Sequence, residues 1–124
     1  VKHILIIDDD DDIREVAALS LEAVAGWDVT TACSGADGIA SAQENAPDAI
    51  LMDVMMPGMD GPTTFRAMQR IAALAKIPVV LLTAKVQGVD QRRFSDLGVA
   101  GVLFKPFDPM TLSLQIAGAL GWKD

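Results

Sequence analysis

Four short stretches carry side chains that could do chemistry together. The acidic block Asp8 to Asp12 follows the apolar run Ile4 to Ile7, and Asp53 ends the run Ala49 to Met52 before the chain breaks at Pro57 and Gly58. Thr83 follows Ile77 to Leu82, and Lys105 follows Val99 to Phe104 and precedes Pro106. Each residue set stands at the end of a run that reads as a buried strand, and in open α/β sheets ligands bind at the carboxyl ends of the strands. Asp8, Asp9, Asp53, Thr83 and Lys105 would make a coherent set: three carboxylates, one hydroxyl and one ammonium. Carboxylates gathered so closely repel, which raises their pKa values unless a cation joins them. A hard divalent ion with oxygen ligands, Mg²⁺ before others, is the natural partner. An acid also caps turns where strands end, so the position of Asp53 alone leaves both roles open.

The elements that must position these residues alternate along the chain. Strands are expected at Ile4 to Ile7, Trp27 to Ala32, Ala49 to Met52, Ile77 to Leu82 and Val99 to Phe104. Between them, Ile13, Val16, Ala17, Leu21 and Val24 recur at helical spacing up to Gly26, and Gly35 to Asn45 reads as an Ala-rich helix ahead of Pro47. Further helices are expected from Pro62 to Leu74, from Gly88 to Leu97 with Phe94 and Leu97 as anchors, and from Pro109 to Leu120. Five strands alternating with five helices predict a single-domain α/β fold, a parallel sheet covered on both faces. Asp10, Asp11 and Asp12 read as a solvated helix start, favourable to the helix dipole. Acids also fill the place after the first strand where dinucleotide-binding folds need glycines, which disfavours that class.

Composition narrows the function further. The 124 residues suit one domain, and the formal net charge of −7 argues against a nucleic-acid surface. No apolar run approaches the roughly 20 residues of a bilayer crossing, and no basic leader precedes an apolar segment, so neither membrane nor export is indicated. The chain opens on Val1, which reads as a trimmed or excised terminus. Cys33 is alone; it forms no internal disulfide, suits a reducing cytoplasm, and is expected to be a small apolar filler.

Taken in order, Ile-Leu-Ile-Ile-Asp-Asp-Asp-Asp-Asp-Ile-Arg, Leu-Met-Asp-Val-Met-Met-Pro-Gly-Met-Asp-Gly, Val-Val-Leu-Leu-Thr-Ala and Lys-Pro-Phe resemble the receiver domain of two-component response regulators over essentially the whole chain, residues 1–124. The resemblance implies a flavodoxin-like (βα)5 fold of strand order 2-1-3-4-5, with no output domain in this chain. It implies a cytoplasmic signalling domain, not an enzyme with turnover. Asp53 would be the phosphoacceptor, attacking the phosphohistidine of a sensor histidine kinase or phosphotransfer protein. Mg²⁺ would be held by Asp9, Asp53 and the backbone carbonyl of Met55, with Asp8 acting through water. Lys105 would pair with Asp53 or a phosphoryl oxygen, while the Thr83 hydroxyl and the Ala84 N–H would bind the phosphoryl group. The Lys105–Pro106 bond is expected to be cis.

The resemblance also implies a switching face of fourth helix, fifth strand and fifth helix, able to form a homodimer. The family's switch uses an aromatic residue three positions before the lysine, and here that residue is Val102. Phe104 is expected on the other side of the strand. Met55 and Lys85 flank the implied path of the hydrolytic water, and a flexible apolar Met55 points to a long-lived phosphoryl group. Two other classes share part of the pattern. A haloacid dehalogenase-type phosphatase would need an acid where Met55 stands, and a receiver-like interaction module would keep the fold without phosphorylation.

Overall fold

The computed structural model describes residues 1–84 and 88–122. Strands β1 (His3–Ile7), β2 (Asp28–Ala32), β3 (Ala49–Asp53), β4 (Val79–Thr83) and β5 (Gly101–Phe104) alternate with helices α1 (Asp11–Ser20), α2 (Gly35–Glu44), α3 (Gly61–Gln69), α4 (Gly88–Leu97) and α5 (Leu112–Leu120). All pairings are parallel, in the order β2-β1-β3-β4-β5. Lys85, expected beside the hydrolytic path, lies outside the described residues.

The unbroken apolar runs of β1, β3 and β4 follow from burial on both faces of the sheet. Leu5, Ile7, Ile50, Met52 and Leu81 point to one side, where Phe65 and Met68 of α3 and Phe94 of α4 complete the layer. Ile4, Ile6, Leu51, Val80 and Leu82 point to the other, against Ala17 of α1 and Leu112, Ile116 and Ala117 of α5. The sheet is therefore the middle of three layers, and all its strands end on one side.

Helix ends are set by local chemistry. Asp10 caps α1, its side chain accepting from the Asp12 and Ile13 N–H groups, and Asp60 caps α3 through the Thr63 N–H. Both satisfy backbone donors that a helix start leaves without partners. The first helical segment continues past α1 as a π-helical turn, Leu21–Ala25, and closes at Gly26 with φ +70°. Val16 and Val24, expected inside, are 43% exposed. The face that packs is Ile13, Ala17 and Leu21, spaced four apart, and the wide turn rotates Val24 off it.

Leu74, expected on the third helix, is buried in a turn beyond it, its N–H bonded to the Ile71 carbonyl three residues back. Its spacing of three mimics a helix without continuing one. After α5, Gly121 adopts φ +73° and turns Trp122 back onto the sheet's amino end. There it meets Trp27 edge to face at 5.4 Å, with the Lys2 ammonium 4.6 Å above the Trp122 ring. Both contacts are of the kind that favours aromatic clusters.

Candidate functional site

Three backbone hydrogen bonds set the level of the site. The Asp8 N–H donates to the Ala32 carbonyl, Val54 N–H to Leu82, and Lys105 N–H to Thr83, at 3.1, 3.2 and 2.8 Å. They carry the ladders one residue past the strands, so Asp8, Asp53, Thr83 and Lys105 emerge at the same rim. Asp8, Asp53 and Thr83 are buried there, at 1, 5 and 4% exposure, while Asp9 is exposed. Carboxylate oxygens of Asp8, Asp9 and Asp53 lie within 4.8 Å of one another.

Lys105 binds the buried pair together. Its Nζ is 3.2 Å from both Asp8 Oδ2 and Asp53 Oδ1. The Asp53 pKa is nonetheless raised from its ordinary value, because burial and then the Asp8 charge outweigh the pull of Lys105, with Asp9 adding to the rise. Burial works against the Lys105 ammonium too, but the Asp8 and Asp53 carboxylates more than offset it and raise its pKa. The arrangement holds more negative charge than one lysine balances.

The donor set fits a hard divalent cation. One Asp8 oxygen, Oδ1, accepts from the Asp10 N–H at 2.9 Å. The other, Oδ2, is buried, and among the described residues the Lys105 ammonium at 3.2 Å is the partner it has. A buried carboxylate oxygen facing two further carboxylates is what an oxygen-seeking cation requires.

The structure brings Asp8, Asp9, Asp53, Thr83 and Lys105 to one rim, and the Lys105–Pro106 bond is cis. Met55 and Ala84 line a cavity that adjoins Thr83, and the Met55 side chain is 77% exposed. Asp10 to Asp12 serve the start of α1, as their position implied. Two expectations need correction. Cys33 is no apolar filler: it is exposed and its Sγ–H donates to Asp37 Oδ2 at 3.2 Å. That bond and the Asp37 charge push its thiol pKa up, so it is a poor nucleophile.

Phe104 is not on the face opposite Val102. Register places Val102 beside Leu81 and Phe104 beside Thr83, and side chains two apart share a face. Val102 packs partly buried against the core, whereas Phe104 is 48% exposed. An aromatic ring thus neighbours Thr83 after all, two residues further along β5.

Two residues that sequence alone did not single out also shape the site. Arg14 donates through Nη1 to the Asp8 carbonyl at 2.6 Å and pairs with Asp11, tying α1 to the loop that presents Asp8. Its signal was the Asp11 to Arg14 spacing of three on a helix. Gly61 donates to the Val54 carbonyl at 2.8 Å, and a Cβ there would meet the Asp53 carbonyl oxygen at 2.6 Å. Its signal was Asp60-Gly61-Pro62, a cap followed by a proline at a helix start.

Comparison with known proteins agrees with this geometry. The family model described as the response regulator receiver domain matches residues 4–117. The DNA-binding dual master transcriptional regulator RpaA of Synechocystis is 43% identical over 118 residues, 95% of this chain and 48% of that protein. The phosphate regulon transcriptional regulatory protein PhoB of Pseudomonas aeruginosa is 34% identical over 96% of this chain and 52% of its own. The chain thus spans about half the length of these curated relatives. Among solved structures, chemotaxis protein CheY4 of Vibrio cholerae superposes with a TM-score of 0.89 at 30% identity, covering 96% of this chain and 98% of that one. No helix among the described residues is long and apolar enough to cross a membrane. With its motifs, strand order and acidic rim all in agreement, the chain belongs to the response regulator receiver domain family of two-component signalling.

Proposed function

We propose that Asp53 is the phosphoacceptor of this receiver domain. The observation that carries the reading is Lys105 Nζ at 3.2 Å from both Asp8 and Asp53, in a rim where three carboxylates crowd within 4.8 Å. Asp53 Oδ attacks the phosphorus of a phosphohistidine; the P–N bond breaks, its electron pair returns to the imidazole, and an acyl phosphate forms. Lys105 offers a point charge on a long stem that follows the oxygen as charge moves from carboxylate to phosphoryl. Thr83 and the Ala84 N–H, which line one cavity, would bind the remaining oxygens. Asp8, Asp9, Asp53 and the Met55 carbonyl are the residues that would hold Mg²⁺, which when bound supplies neutralising charge for the transferring group.

The domain signals and does not turn over a substrate; the chemistry is confined to its own phosphorylation and dephosphorylation. The reading extends to a cytoplasmic receiver spanning residues 1–124, phosphorylated by a sensor histidine kinase or phosphotransfer protein. Its outlet would be the α4, β5 and α5 face, as a homodimer contact, with no direct contact to nucleic acid or membrane.

Incubation with acetyl phosphate and Mg²⁺ tests the core of it by intact mass. One added phosphoryl group, absent in Asp53→Asn and without Mg²⁺, is the expected result. No gain of mass in a folded protein that binds Mg²⁺ would replace this reading with the interaction module.

A further inference from the structure

We infer that the groove between α3 and α4 is a second binding site, for a small ligand bearing two or more linked phosphoryl groups. The groove encloses 610 Å³, within the range of small-molecule sites, and Arg66, Arg70 and Arg93 line it above Pro62, Phe65 and Phe94. Three of the chain's five arginines therefore meet in one place, in a protein of net charge −7. Among the described residues Asp96 is the one acid that lines the groove and Asp60 lines the adjoining cavity, so the three arginines outnumber the carboxylates near them.

All three arginines are exposed, and among the described residues none has a carboxylate within ion-pairing distance. Arg14, by contrast, is already committed to Asp11 and to the Asp8 carbonyl. Arg66 and Arg93 do reach Asp60 with their fields, since both help to lower its pKa after its bonds to Thr63 and against its burial. Arg66 belongs to α3 and Arg93 to α4, so the two side chains line the groove from its two walls.

The chemistry favours phosphate over an acidic peptide. A guanidinium presents a planar fork that matches phosphate oxygens two at a time. Arg66 on α3 and Arg70, the residue that caps its carboxyl end, are four residues apart, about 6 Å along the axis, so both can reach one compact anion. A peptide would need apolar pockets for its anchors, but Phe65 and Phe94 are already buried, at 4 and 6% exposure. Arg93, Phe94 and Pro62 also line the adjoining 330 Å³ cavity that reaches Met55, Thr83 and Ala84, so a ligand in the groove would touch the wall of the acceptor site.

The test is a titration of the whole chain in metal-free, low-salt buffer, where the three carboxylates of the rim repel anions. Pyrophosphate, ADP and a Glu-rich decapeptide are the probes, read by calorimetry and by the amide signals of Phe94 and Leu97. Both phosphate probes should bind. Arg66→Gln/Arg70→Gln and Arg93→Gln should each weaken them by about tenfold or more, the loss of charge-assisted bonds, with unchanged thermal midpoints. ADP binding more tightly than pyrophosphate would identify a nucleotide; equal affinities would identify the polyphosphate group alone. The inference is overturned if neither phosphate binds, if the variants bind as the wild type does, or if the peptide alone binds. Loss of acceptor activity at Asp53 leaves this test untouched, because it requires no phosphorylation.

Discussion

Asp53→Asn should make the metal-free protein more stable at neutral pH. With an effective dielectric constant of 20, two charges 4.8 Å apart repel by about 3.5 kcal/mol, and 4.8 Å is the outer limit for Asp8 and Asp53. Lys105, 3.2 Å away, returns about 5 kcal/mol to the Asp53 charge on the same scale. Removing a carboxylate from water costs several kcal/mol more, roughly, and that cost tips the sum. Asp9 adds repulsion that its exposure screens. The net charge on Asp53 is thus unfavourable by about 1–2 kcal/mol, which for a chain of this size is about 3–8 °C in midpoint.

The pH dependence has a definite sign. Asp53 holds its proton to higher pH in the folded state than its ordinary value of 3.8, so the folded state is favoured below 3.8 and loses that advantage as pH rises through the raised value. The Asp53→Asn variant has no such step, so the two stability curves should converge in acid and separate toward neutrality. Thermal unfolding in EDTA from pH 3 to pH 8 measures this. In Mg²⁺ at one hundred times its dissociation constant the wild type regains about 2.7 kcal/mol, and the gap should close or reverse. A variant no more stable than wild type in EDTA at neutral pH, or curves that run parallel, would refute the charge accounting.

Lys105→Met should cost about 3 kcal/mol in EDTA, because it leaves two buried carboxylates without a cation; urea unfolding should show most of that loss absent when Asp53→Asn is added. Gly61→Ala should destabilise by about 2 kcal/mol or more, since its Cβ would press on the Asp53 carbonyl oxygen at 2.6 Å and on the Val54 Cα at 3.0 Å, and backbone cannot give as a side chain does. Phosphorylation of Gly61→Ala by acetyl phosphate should slow as well. Asp60→Ala should cost about 1 kcal/mol at pH 7 as a lost helix cap. The Thr63 bonds hold Asp60 below its ordinary pKa, so the cost should be full above 3.8 and fade as pH falls through the lowered value.

Burial on both faces made this fold readable. Runs such as Ile4 to Ile7 and Ala49 to Met52 announce central strands, and the polar residue that ends each run must sit at the rim where the strands stop. Asp8, Asp53, Thr83 and Lys105 were legible for that reason. Elements with period near three were less so: Leu74 keeps helical spacing through a turn of i to i+3 bonds, and Val24 looks internal until a π-helical turn rotates it outward. Phe104 was misplaced although the period of two that governs β5 puts it on the face of Val102. The meeting of Arg93 with Arg66 and Arg70 carries no signal in sequence, because only the approach of α3 to α4 brings it beside them.

The tryptophan pair has a consequence for optical measurement. The chain holds two tryptophans and no tyrosine, so its indole emission arises wholly from Trp27 and Trp122, at the amino ends of the strands. Strands of five residues put roughly 16 Å between that end and the acidic rim. Emission should therefore follow unfolding faithfully and stay nearly silent when a ligand enters at Asp53. A spectral change on phosphorylation would show that movement had crossed the full length of the sheet.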